Sequence, residues 1–193
     1  MIKMKRGRFL SLIALFFVFL AVLSCESKKG HKNNQENIND RDCLKSRKYN
    51  AIRVLDKYKK VISKTSVSME ITYPQYYGGM YIDDAGNPVI LTTDTNKREL
   101  IKKLAESNEV VVLKCLFSYQ HLKNIDDKIK TCLGDKPELL ENIGINTFGI
   151  LSDKNCLDVS LISCTPEKIK LFKSFIIDDP CIVFSENPSR LIL

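Results

Sequence analysis

The chain has 193 residues, of which 44% are hydrophobic, with 30 Lys and Arg against 23 Asp and Glu and a formal charge of +7. That length fits one compact domain, or two small ones sharing a sheet. Four of the positive charges, Lys3, Lys5, Arg6 and Arg8, sit at the extreme N-terminus, and subtracting them from +7 leaves +3 on the rest. With lysines dispersed and no basic aromatic stripe, this gives no support to nucleic-acid binding.

Those four charges precede an almost entirely apolar run, Phe9 to Leu23, which reads as an export signal over residues 1–24. The run is too short for a membrane span, which needs about 20 apolar residues. It ends in Val22-Leu23-Ser24-Cys25. These four residues resemble the lipobox of bacterial lipoproteins, with an aliphatic residue three before the cysteine and a small one just before it. Leu23 is bulkier than the commonest pattern carries. The resemblance implies cleavage behind Ser24 and lipid modification of Cys25, so the expected location is the bacterial cell envelope, anchored to a membrane. Residues 25–39, poor in large hydrophobes, are expected to form a flexible tether, with His31 solvated in it.

From Asp40 to Ser63, apolar residues at Leu44, Ala51, Ile52, Leu55, Tyr58 and Ile62 predict an amphipathic helix with a solvated basic face. Val67, Met69, Ile71 and Tyr73 then alternate with polar residues, as in one half-buried strand that Pro74 ends.

The organising stretch is Tyr76 to Lys114. Gly79–Asp83 and Val89–Thr93 are β-prone runs around Ala85-Gly86-Asn87-Pro88, which predicts a hairpin. Leu100, Ile101, Leu104 and Ala105 follow at helical spacing, then the β-rich run Val110–Leu113. After a connecting helix over 118–134, with Leu122, Ile125, Ile129, Cys132 and Leu133 on one stripe, Pro137 to Ile143 adds a further turn of helix. The same order of elements then returns: Phe148–Leu151 and Leu157–Ile162 flank Ser152–Asn155, Thr165-Pro166 opens a helix, and Cys181–Phe184 is a last strand. Sliding one copy over the other pairs Gly79 with Gly149, Val89 with Val159, Leu91 with Leu161, and Val111–Leu113 with Cys181–Val183. The expected fold is α+β: two ββαβ units, read as an internal duplication, joined by a helix and preceded by an N-terminal helix. Their sheets are small, mixed or antiparallel, with helices on one face. The folded domain spans 40–193, with halves at about 66–117 and 145–186.

Chemical motifs are sparse. There is no HExxH, no glycine-rich phosphate loop and no nucleophile elbow. A serine nucleophile would need a base, and only His31 and His121 are present, the latter without a second ligand at metal spacing. Asp83-Asp84 and Asp178-Asp179 precede turns or prolines, where Asp serves backbone hydrogen bonds. Cys43, Cys115, Cys132, Cys156, Cys164 and Cys181 remain after Cys25, an even number that permits disulfides in an exported protein. Six cysteines allow 15 connectivities, and buried free thiols are an equal alternative. No catalytic residue, metal or cofactor is expected.

Tyr77-Gly78-Gly79-Met80-Tyr81-Ile82-Asp83, then Gly86-Asn87 and Val89-Ile90-Leu91, resembles the pro-regions of α-lytic and streptogrisin-type serine proteases. The resemblance covers Tyr76 to Lys130, and the later hairpin, helix and strand have the right order for the family's second half. It implies a compact module whose exposed sheet pairs with a strand of the protease, assisting its folding and inhibiting it. With the sequence ending at Leu193, the expectation is action in trans on a secreted or envelope serine protease or another envelope protein. A strand edge left open suits β-augmentation, and Gly79, Met80, Tyr81, Val89, Leu91, Cys181 and Val183 are the expected contact residues. The tail from Glu186 to Leu193 is expected to pack on the domain. An envelope enzyme with a thiol or carboxylate site, or a purely structural envelope lipoprotein, are the alternatives.

Overall fold

A computed structural model describes residues 32–65 and 71–188. The export signal, Cys25, His31, the strand positions Val67 and Met69, and the tail from residue 189 onward lie outside the described residues. The chain divides into two compact units, Met1–Lys45 and Ser46–Leu193. In the first, Lys45 lies 3.9 Å from Asp42 in an exposed ion pair.

Helix α1 (Lys32–Ile62) starts earlier than the apolar periodicity indicates. Once the amphipathic part is nucleated, each further polar residue joins at little cost, so the helical backbone extends beyond the face that packs. Ala51, Leu55, Tyr58 and Ile62 are its buried positions. Strands β1 (Lys64–Thr65) and β2 (Ile71–Thr72) pair antiparallel as a two-residue ladder.

The first three-stranded sheet comprises β3 (Tyr77–Ile82), β4 (Pro88–Thr92) and β5 (Val111–Lys114), with β4 in the centre. β3 and β4 are antiparallel, while β5 adds parallel to β4 after helix α2 (Arg98–Ala105). Helix α3 (Tyr119–Asp135) and the short α4 (Glu138–Ile143), closed by Gly144 at φ +79°, lead to the second sheet. There β6 (Ile145–Leu151), β7 (Cys156–Leu161), α5 (Pro166–Phe175) and β8 (Ile182–Glu186) repeat the plan, with β7 central and β8 parallel to it. Thr165 caps α5 by accepting a hydrogen bond from the Lys168 amide, and Pro166 is its first residue. The α+β architecture of two ββαβ units is thus present in both halves.

The two hairpins share an irregularity that fixes their true correspondence. Register shifts between Tyr77 and Gly79 in one, and between Ile145 and Thr147 in the other. Superposing these bulges matches Tyr77 with Ile145, Ile90 with Val159, Thr92 with Leu161 and Lys114 with Glu186. The sequence-based pairing of Val89 with Val159 and Leu91 with Leu161 is therefore one residue out, which turns every side chain to the opposite face. The reason is visible in β4: Pro88, Val89, Ile90, Leu91 and Thr92 are all buried, so apolar character does not mark the core side.

Each half has its own core. Leu55, Tyr58 and Ile62 of α1, Ile101 and Ala105 of α2, and Tyr77, Ile90 and Val112 of the sheet form the first. The second gathers Leu122, Ile125 and Ile129 of α3, Leu157, Val159 and Leu161 of β7, and Phe172 of α5. Each such side chain contributes about 1.5–3 kcal/mol by leaving water. Tyr77 is the ring hub of the first core, with Tyr73 and Tyr119 centroids both at 5.4 Å and Tyr58 at 6.1 Å.

Candidate partner-binding surfaces and a polar cluster

Strand alternation sends Tyr77, Met80 and Ile82 toward the helices and leaves Gly79, Tyr81, Val89, Leu91, Val111 and Leu113 on the outer face of the first sheet. Val89 and Leu91, on the central strand, are almost fully covered, whereas Val111 and Leu113, on the outer strand, are 36% and 43% exposed. Leu116 beyond them is 83% exposed. This face is apolar from edge to edge. The matching face of the second sheet carries Thr147, Asp158, Ser160, Val183 and Ser185, and Ser185 Oγ donates to Asp158 Oδ2 at 3.0 Å. Its one large apolar exposure is Val183.

The expected contact residues are therefore divided. Gly79, Tyr81, Val89 and Leu91 share one face, and Met80 packs instead against the first core. Val183 lies on the other sheet, and Cys181 is fully buried before β8 begins. Val111, Leu113 and Leu116 were not singled out by sequence, because an unbroken run of apolar residues reads as a strand buried on both faces.

β5 and β8 end their sheets, each hydrogen-bonded along one side to the central strand. β3 and β6, at the other ends, both meet α3. Among the described residues no strand pairs with the far side of β5 or β8, and an unpaired strand edge is where an added strand can bond.

Asp83 and Asp179 show what the paired carboxylates do. Asp83 accepts the Asn87 amide at 2.8 Å and the Asn87 side chain at 2.9 Å. These bonds hold its carboxyl below the ordinary range. It closes the hairpin turn. A depression of about 700 Å³ lies beside it, between the two hairpin turns, lined by Tyr81, Asp84, Ile150 and Asp153 among others.

Asp179 takes part in a cluster that chain order conceals. Its Oδ1 accepts the Cys181 amide at 2.9 Å and lies 3.1 Å from His121 Nε2. Burial pushes the Asp179 carboxyl up, but the bonds from the Cys181 backbone and thiol and from His121 outweigh it and hold the carboxyl low. Burial, reinforced by Asp179, pushes the Cys181 thiol up to about 12. A protonated thiol with no exposed surface does not present a nucleophile to a substrate. His121 is partly exposed, and its ring stacks on Phe117 at 5.8 Å. Among the described residues all six cysteines are free thiols, and no helix is long and apolar enough to cross a membrane.

Two mixed three-stranded sheets, joined by α3 and α4, define a two-part α+β module. Residues 26–115 match a family model described as the Pro-like N-terminal domain, and residues 120–187 match one described as the Pro-like C-terminal domain. The chain is thus similar to a Pro-like N-terminal domain followed by its C-terminal counterpart, in keeping with the resemblance to a protease pro-region. No curated protein matches it.

Proposed function

We propose that this chain is a non-catalytic binding module that engages a serine protease of the envelope or secreted fraction, inhibiting it or assisting its folding. In this reading Cys25, lipid-modified, holds it on a bacterial membrane. The observation that carries the reading is the repeated ββαβ plan with its last strand open, in a chain whose two parts match Pro-like N- and C-terminal domains. A partner strand would pair with β5 or β8 through backbone hydrogen bonds, and side chains on the adjoining face would select it. The thiol-enzyme alternative draws less support, since the buried Cys181 is protonated at neutral pH.

The test is capture of proteins from an envelope and secreted fraction on the purified chain, followed by assay of each captured serine protease with and without added module. Loss of protease activity that saturates with the module supports the proposal; capture of proteins none of which is a protease overturns it. Val183→Lys and Val111→Lys, placing a charge beside each open edge, distinguish the two strands, with at least about tenfold weaker binding expected at the one used. Cys25→Ser should release the protein from the membrane fraction, and unchanged membrane retention would refute the anchor.

A further inference from the structure

We infer that His121, Asp179 and Cys181 form a binding site for one zinc-class divalent cation, held by an imidazole nitrogen, a carboxylate oxygen and a thiolate, with a fourth position open to water. One ligand atom from each of the three lies within 4.8 Å of the others. Bonds of about 2.0–2.3 Å in a tetrahedral array place ligand atoms about 3.3–3.8 Å apart. The His121 to Asp179 separation of 3.1 Å is already near that value.

The three ligands come from rigid surroundings. His121 lies in the first turn of α3, where Ser118 Oγ accepts its amide at 3.2 Å, and Phe117 fixes its ring plane. Asp179 and Cys181 flank Pro180, and the Cys181 carbonyl accepts the Leu157 amide at 2.9 Å, which ties it to the start of β7. The amide of Cys181 bonded to Asp179 Oδ1 supplies the outer hydrogen bond that orients a ligating carboxylate.

The donor set selects the metal. A thiolate disfavours calcium and magnesium, while one nitrogen, one oxygen and one sulfur suit Zn²⁺. The His121 side chain is 40% exposed and that of Asp179 15% exposed, so one side admits the ion and a water. On binding, the Cys181 S–H bond breaks and its proton leaves to solvent, the Nε2–H that His121 shares with Asp179 is given up as the neutral ring keeps its hydrogen on Nδ1, and sulfur–metal and nitrogen–metal bonds form in their place, with no change of oxidation state. His121 lies 58 residues before Asp179, so no ligand spacing along the chain marks this site.

The experiment is titration of the purified full-length chain, metal-free and reduced, with Co²⁺ followed by Zn²⁺. The expected result is one equivalent bound with a thiolate-to-cobalt charge-transfer band that Zn²⁺ abolishes. Cys181→Ser should remove the band. His121→Gln, at a partly exposed position that leaves the fold intact, should weaken binding more than about tenfold. Cys132→Ser should change neither. Absence of the band at stoichiometric Co²⁺ overturns the site, as does a band that survives both Cys181→Ser and His121→Gln.

Discussion

Asn155 donates a hydrogen bond from its side chain to the carbonyl of Gly78 at 2.9 Å, joining the turn of the second hairpin to the bulge of the first. The same amide group donates to the Phe117 carbonyl at 2.9 Å, and its oxygen accepts the amides of Leu116 and Phe117 at 3.1 and 2.8 Å. One nearly buried side chain therefore satisfies four backbone groups drawn from the first hairpin and the link between the halves. Its own backbone has φ +50°, a conformation that asparagine tolerates better than most residues.

Asn155→Ala should uncouple the halves. It leaves buried donors and acceptors without partners, each worth about 1–3 kcal/mol, and it places a Cβ-bearing residue less suited to positive φ. The expected loss is about 2–4 kcal/mol in urea unfolding. Asn155→Gly relieves the backbone but not the hydrogen bonds, so it should recover only a fraction. Loss below about 1 kcal/mol for both would show that the halves are held by other contacts.

Gly78 is required for a different reason. A Cβ built there would lie 2.1 Å from Cys115 Sγ and 3.2 Å from the Leu91 Cβ. Gly78→Ala should cost about 1–3 kcal/mol through overpacking. In the double variant with Cys115→Ala the sulfur is gone, and most of the cost should disappear in a double-mutant cycle. Additive effects would place the strain in the backbone instead.

The element order was legible because turn chemistry and periodicity agree: Gly86-Asn87-Pro88 marks one hairpin and Thr165-Pro166 the start of α5. The face assignment within β4 was not legible, since residues on both of its sides are apolar and buried. Nor was Asn155 legible as a joint; an asparagine beside a turn reads as turn chemistry, and its partners lie in the other half of the fold. His121 with Asp179 and Cys181 fails for the same reason, a side-chain meeting produced by packing α3 against the approach to β8.

Acid should weaken the first hairpin through Asp83. Its folded value lies below the ordinary 3.8, first because of the Asn87 side-chain bond and then the Asn87 amide. A group whose folded value is depressed adds stability that is fully present above the unfolded value and is lost as pH falls through the folded one. Asp83→Asn removes the titration while keeping an acceptor for the Asn87 amide. The wild type should therefore lie higher by a constant amount above about pH 3.8, the gap should narrow as pH falls below that, and it should close only under the lower folded value. Parallel curves would mean that Asp83 has the same affinity for protons folded and unfolded.

The buried hydroxyl of Tyr58 offers the opposite kind of test, a group whose removal should help. The side chain is fully buried in the first core, and its Oη has no hydrogen-bond partner among the described residues. Burial, with the neighbouring Tyr76 and Tyr77 hydroxyls adding to it, drives the Tyr58 phenol strongly upward. An unsatisfied buried hydroxyl costs about 1–3 kcal/mol relative to water, whereas the ring itself packs near Tyr77 at 6.1 Å. Tyr58→Phe keeps the ring and drops the unpaired oxygen, so it should be neutral or raise stability by up to about 1 kcal/mol. Tyr58→Ala, which empties the site, should cost about 3–5 kcal/mol, as for other large aromatic truncations. Thermal unfolding of the two variants decides the matter: a Phe variant less stable than wild type by more than about 1 kcal/mol would mean that the hydroxyl is bonded in solution, through a water or a shifted Tyr76.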